Sequence, residues 1–186
     1  MKRLLPLLLL LGSCADFVSE EMQDAASPPP LKENEALVVV FRPSTFGGNT
    51  QFPIFEFTGQ DADLMGFSES GCYFEDRVAA GRHLFITWGE GEAYIDADLA
   101  PGKTYYIRCF AKMGLLAPRP RFAPVRRDSE EWKNLDSELK GLKRRELKPR
   151  VALQDEKARE ERARSAKKSV DEGRLQPTYL KPEDGR

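Results

Sequence analysis

The residue with the clearest chemistry is a cysteine near the amino terminus, Cys14. Lys2 and Arg3 precede the apolar run Leu4–Leu11, and small residues stand directly before the cysteine. This order of charged, apolar and small residues is typical of a bacterial lipoprotein signal peptide, which is cleaved before a cysteine that carries lipid. The pattern predicts a leader over residues 1–13, acylation including palmitate on Cys14, and peptidase recognition by Leu11, Gly12 and Ser13.

A membrane-spanning helix is the alternative interpretation of this segment. The apolar run has only about 8 residues, whereas a helix that crosses a bilayer needs ~20. The several acyl chains of a mature lipoprotein anchor firmly, while a single chain binds a membrane only marginally. We therefore expect membrane lipid, reached through acylated Cys14, to be a partner of the chain.

Cys72 and Cys109 are the candidates for a disulfide, because an even number of cysteines outside the lipid site suggests pairing in an oxidising compartment. Strand alternation places Cys72 on the face of Phe74, and Cys109 on the face of Tyr105 and Ile107. Both thiols are thus expected to point inward. They are either bonded to each other or two buried free thiols that behave as small hydrophobes.

His83 is the single histidine of the 186 residues, which removes most zinc and general-base arrangements. Leu84, Ile86 and Trp88 are predicted to point inward, so the opposite parity of His83 predicts a surface imidazole. Ser44, Ser68 and Ser70 lie in predicted turns without a nucleophile elbow. We expect no catalytic residue, no bound metal, no cofactor and no enzyme activity.

Charge divides the chain into two parts. Residues 15–125 hold 9 Lys and Arg against 16 Asp and Glu, whereas residues 126–186 hold 18 against 14. The tail is only mildly basic and its cations are interleaved with acids. Nucleic-acid binding needs a concentrated basic face, so we exclude nucleic acid as a partner.

The body is expected to be mainly β. Residues 14–35 predict a flexible tether after the lipidated cysteine, and residues 36–127 contain short Val-, Ile- and aromatic-rich runs broken by Gly, Pro and Asp. About seven to eight strands at this density are typical of a small antiparallel β-sandwich. We expect the runs at 64–67 and 72–78 to pair as a hairpin across the turn at 68–71.

An amphipathic helix is predicted over residues 128–148, with Asp128 as its N-cap, followed by a charged helical or disordered tail over 149–186. The segment 176–186 is expected to be disordered. The apolar stripe of the helix either packs on the sandwich or waits for a partner helix or groove. The stripe consists of Trp132, Leu135, Leu139 and Leu142.

Three aromatic residues are predicted to face outward from their strands: Tyr94, Tyr106 and Phe110. Exposed aromatics of a sandwich can bind a glycan or a protein. The alternative is ordinary surface, or cover by the tail helix.

Three short motifs carry a resemblance to a known family. They are Phe41-Arg42-Pro43, Gly81-Arg82-His83 and Pro101-Gly102-Lys103-Thr104-Tyr105-Tyr106. With them, residues 36–125 resemble an uncharacterised bacterial lipoprotein family, domain of unknown function twenty-eight forty-six. The resemblance implies a small membrane-attached β-sandwich without an established activity, and it supplies no catalytic residues. Ala80 departs from the proline usual before the glycine of Gly81-Arg82-His83, and the charged tail lies outside the resemblance.

The function expected from these features is a structural or protein-interaction role in the bacterial cell envelope. A glycan- or peptidoglycan-binding module is the alternative. Ala15 stands where enteric-type sorting places an inner-membrane aspartate, so we expect an outer-membrane lipoprotein facing the periplasm.

Overall fold

A computed structural model describes residues 21–25, 30–48, 50–149 and 155–186 of the chain. The predicted leader, its recognition residues Leu11, Gly12 and Ser13, and the lipidation site Cys14 lie outside the described residues. No helix within the described ranges is long and apolar enough to cross a bilayer.

Two sheets pack against each other around one main core. The six strands of the first sheet are β1 Met22–Asp24, β2 Glu35–Arg42, β5 Cys72–Ala79, β8 Thr104–Lys112, β9 Arg119–Pro124 and β10 Lys143–Leu147. The five of the second sheet are β3 Phe52–Thr58, β4 Asp61–Ser68, β6 Gly81–Trp88, β7 Glu92–Leu99 and β11 Thr178–Leu180. Their order is β1-β10-β5-β2-β8-β9 in the first sheet and β11-β7-β6-β3-β4 in the second.

The mainly β fold is therefore confirmed, although eleven described strands exceed the seven to eight predicted. The apolar run of β2 is explained by its position, because this strand lies between β5 and β8 and is covered on both faces. Val38 and Val40 belong to the main core between the sheets, while Val39 and Phe41 belong to a second core outside the first sheet.

The predicted hairpin between the runs at 64–67 and 72–78 is wrong. Strand β4 pairs with β3 in the second sheet, while β5 pairs with β2 and β10 in the first. The residues between β4 and β5 cross from one sheet to the other, and Gly71 takes the positive φ of 68° that this turn requires. A turn signature alone does not say which strands it joins.

The predicted helix over 128–148 is too long. Helix α1 spans Glu130–Lys140, and Ser129, not Asp128, caps it by accepting a hydrogen bond from the N–H of Trp132 at 3.2 Å. Gly141 ends the helix, and the next residues form β10, which pairs parallel to β5 and antiparallel to β1.

The tail is ordered into both sheets, which corrects the expectation for residues 176–186. Helix α2, Glu156–Asp171, buries Ala163 and Ala166 against the second sheet. Strand β11 then pairs parallel to β7, and Arg186 exchanges backbone hydrogen bonds with Thr104 at 2.7 and 3.1 Å. The predicted tether is also shorter than expected, because β1 belongs to the first sheet.

Candidate functional site

The predicted aromatic surface is mostly covered. Tyr94 is 6% exposed and its hydroxyl donates to Glu92, which also pairs with Arg162 of α2 at 2.9 Å. Burial and this carboxylate raise the pKa of Tyr94 well above its ordinary value. The face that Tyr94 occupies does point away from the opposite sheet, but α2 lies over it.

Tyr106 is 5% exposed, because α1 and the C-terminal residues lie over it. Trp132 meets its ring edge-on at 6.1 Å between centroids, and Arg186 Nε donates to its hydroxyl at 2.8 Å. Burial raises the pKa of Tyr106. Phe110, with Lys112 Nζ 5.8 Å from its ring centroid, is half-buried. The three predicted aromatics therefore do not form one exposed patch.

The apolar stripe of the helix packs on the first sheet, so the first of its two interpretations is confirmed. Leu135 is fully buried, and the other three stripe residues, Trp132, Leu139 and Leu142, are partly buried around it. The stripe leaves no separate apolar face for a partner helix.

Cys72 and Cys109 are free thiols in this structure, so the candidate disulfide is not formed. They lie on β5 and β8, with Arg42 of β2 between them. Two strand spacings amount to about 9–10 Å, beyond the ~7 Å limit between bonded Cα atoms. Burial raises the pKa of the Cys109 thiol to about 11, so this thiol is not a reactive nucleophile.

Arg42 is a fully buried cation, and among the described residues no carboxylate pairs with it at close range. Nη1 donates to the carbonyl oxygens of Thr50 and Ser68 at 2.7 and 3.3 Å, and Nη2 donates to those of Phe46 and Gly47 at 2.8 Å each. Burial lowers its pKa, but an arginine remains charged. Arg42 therefore fixes the loop that follows β2.

His83 is buried, 2% exposed, which corrects the predicted surface imidazole. Nδ1 lies 2.6 Å from Glu56 Oε1, and Nε2 lies 2.8 Å from the carbonyl oxygen of Ala79. The predicted orientation of β6 is wrong, because α2 covers the outer face of this strand. Leu84 and Ile86 lie on that covered face and are apolar although they do not face the opposite sheet. A helix over a sheet makes both faces of a strand apolar.

Asp76 of β5 lies close enough to two carboxylates of the second sheet for their charge to shift its pKa. Burial raises the pKa of Asp76 to about 6, and Glu56 and Asp63 add to the rise. The backbone N–H of Arg77 donates to Asp76 at 2.8 Å. Within the described residues, no group of three or more His, Cys, Asp or Glu side chains is arranged to hold a metal ion.

Among the residues that the structure describes, the most exposed large apolar ones lie in the loop between β8 and β9. Met113, Leu115 and Leu116 are 78%, 85% and 92% exposed. We call this loop, together with Phe46, the apical tip. Phe46 is 44% exposed and precedes Gly47, which packs beside Ala111 at the end of β8.

One carboxylate fixes the conformation of the apical tip. Glu90 accepts hydrogen bonds from the backbone N–H groups of Leu115, Leu116 and Ala117, and Arg119 Nη2 donates to it at 2.6 Å. These donors lower the pKa of Glu90 to about 2. A Cβ on Gly114 would lie 2.7 Å from this carboxylate, so the loop requires glycine there. The sequence signal was the apolar run Met113-Gly114-Leu115-Leu116 between a strand and a proline, which we did not single out.

No protein-family model matches the chain, and no curated protein sequence matches it. The resemblance to the lipoprotein family therefore stays a prediction that rests on the quoted motifs.

Proposed function

We propose that this chain is an exported lipoprotein, acylated at Cys14, whose β-sandwich is a non-catalytic module with a structural or protein-interaction role in the bacterial envelope. The observation that carries the proposal is the way the N-terminal segment is fastened to the folded body. The segment that leads to Cys14 is held against the folded body from Glu21 onwards, which keeps the body close to the proposed lipid.

Arg145 of β10 contacts two residues of β1 and one residue of the turn between β4 and β5. Its Nη2 donates to the carbonyl oxygen of Met22 at 2.8 Å, its Nη1 pairs with Asp24 at 2.7 Å, and its Nε pairs with Glu69 at 3.2 Å. Arg145 and Glu69 are 7% and 5% exposed. The buried pair with Glu69 holds β10 to the turn between β4 and β5, whereas the side chain of Asp24 is 89% exposed, and such a pair is worth only ~0–1 kcal/mol. Strand β1 is held to the sheet mainly by its ladder with β10 and by Met22, which is 2% exposed.

The linker to the predicted lipid is short. Only residues 15–20 separate Cys14 from the first described residue, Glu21. Arg159 of α2 also holds Glu21, at 2.7 Å. About seven residue steps span at most ~25 Å, so the module works close to the bilayer that anchors it.

The non-catalytic part of the proposal is supported by how the reactive side chains are used. His83 is buried and contacts Glu56 and the carbonyl oxygen of Ala79, and Cys109 is fully buried. A glycan-binding role is the weaker alternative, because Tyr94 and Tyr106 are covered by the helices of the chain itself.

The first test replaces the lipid attachment residue. Cys14→Ser should abolish metabolic labelling with palmitate and move the protein out of the membrane fraction, while Cys72→Ser, the control, should change neither. Labelled, membrane-bound Cys14→Ser protein would contradict the anchor.

The second test separates the two binding roles. Crosslinking of the full-length lipidated protein in its native envelope should recover a specific envelope protein. Retention on purified peptidoglycan without a crosslinked protein would favour the alternative. A variant that lacks residues 126–186 is not a useful control, since this segment contributes β10, α2 and β11 to the fold.

A further inference from the structure

We propose that the apical tip inserts into the interfacial region of the anionic bilayer that anchors the chain, so that the module is attached to the membrane at two points. This inference rests on the lipid anchor proposed above. It concerns a surface that the anchor itself does not use, formed by Phe46, Met113, Leu115 and Leu116.

The shape of the tip favours lipid over a protein groove. The apolar side chains lie at the end of a strand hairpin and project from the body, with Leu116 92% exposed. Bilayer binding increases with buried apolar area and requires no complementary pocket. A specific protein interface needs a broad surface of about 1,200–2,000 Å², which so small a projection does not offer.

The tip is rigid before it binds. Glu90 holds the backbone of residues 115–117, and Arg42 holds the carbonyl oxygens of Phe46 and Gly47 from below. Little conformational freedom is therefore lost when the tip enters the lipid.

The charges beside the tip fit an anionic surface. Lys112 and Arg121 are exposed on β8 and β9, directly below the loop. Glu90, an acid that contacts the loop, is already bonded to three backbone N–H groups and to Arg119. Each cation near an anionic lipid surface adds favourable binding energy.

The anchor and the tip meet one bilayer surface when the strands are inclined to the membrane normal. The strand registers put Met22 level with Tyr105, and the tip begins after Lys112 of the same strand, about 23 Å further along. The chain leaves β1 through Glu21 in the direction away from the tip, and the seven residue steps from Cys14 to Glu21 reach at most ~25 Å. An upright sandwich would put the tip at the limit of this reach, so attachment at two points requires a tilted one.

The experiment measures the depth of the tip in vesicles. The purified full-length lipidated protein, with Cys72→Ser and Leu116→Cys, is labelled at residue 116 with an environment-sensitive fluorophore. It is reconstituted in vesicles of phosphatidylethanolamine and phosphatidylglycerol, and vesicle flotation measures the anchor separately. A second protein carries the label at Glu131→Cys, an exposed position of α1.

We expect the label at residue 116 to shift to the blue and to be quenched by lipids brominated in their acyl chains, while the label at residue 131 is not. Leu115→Ser should lower the ratio of inserted to uninserted protein about tenfold, since a buried leucine is worth at least a tenfold change in the partition constant. Leu175→Ser, at a 41% exposed leucine outside the tip, is the matched control and should leave insertion unchanged.

Two results would overturn the insertion while the anchor stands. One is a protein that floats with the vesicles although its label at residue 116 stays in water. The other is a blue shift without quenching by brominated lipid, which would indicate that the tip contacts a second copy of the chain. Failure to float would overturn the anchor, and the two-point attachment with it.

Discussion

The buried guanidinium of Arg42 provides the sharpest test of how the fold is held together. Arg42→Met would leave four carbonyl oxygens without their donor, and an unsatisfied buried group costs about 1–3 kcal/mol. Three of the four bonds are only partly buried, so water can replace part of the loss. Removing the cation also relieves its desolvation cost of several kcal/mol. We expect a net loss of about 3 kcal/mol.

Urea unfolding followed by tryptophan fluorescence measures this loss, and a thermal melt should fall by about 6–12 °C. Arg108→Met is the matched control, because Arg108 lies on the neighbouring strand and pairs with Glu138 while 27% of its side chain is exposed. An exposed ion pair of this kind is worth only ~0–1 kcal/mol. Equal stability of the two variants would refute the role assigned to the buried cation.

Three further predictions follow from buried groups. Asp76→Asn should stabilise the protein at pH 7 by up to about 3 kcal/mol, because the pKa of Asp76 is about 6 in the folded protein and 3.8 in the unfolded chain. In urea unfolding at a series of pH values, this gain should vanish towards pH 4. A gain that is equal at both pH values would contradict this carboxyl as the cause. A thiol reagent should label Cys72 but not Cys109 in the native protein, and both after denaturation, with or without reductant; a need for reductant would show a disulfide. Leu135→Ala should cost about 2–5 kcal/mol in urea unfolding, and a loss below 1 kcal/mol would show that α1 is not packed as described.

The strands could be predicted from the sequence because their residues alternate or form short apolar runs between turn residues. The sequence predicts strands over 52–58 and 104–112, and the bounds of β3 and β8 agree with these ranges to the residue. The order of the strands in the sheets could not be predicted, since β2 pairs parallel to β8 across more than sixty residues and nothing local records that partner.

The sequence did not predict strands β10 and β11, and both omissions have the same physical cause. Lys143–Leu147 is mostly charged, and its strand forms because its side chains find partners elsewhere, as Arg144 does with Glu75 at 2.8 Å. The position of β11 likewise depends on β7 offering an edge. Tertiary pairing overrides local propensity in both segments. The apical tip was missed for a different reason, because an apolar run between two strands is usually part of the core.

The late strands set the order in which the molecule can fold. Neither sheet is complete until β10 and then β11 arrive, and both pair in parallel with strands far earlier in the chain. Long-range parallel pairing forms slowly, after local contacts. An exported chain must stay unfolded while it passes through a translocation channel. In the exported lipoprotein proposed above, the topology would meet that need, because β11, the last strand of the second sheet, is among the last parts of the chain to cross.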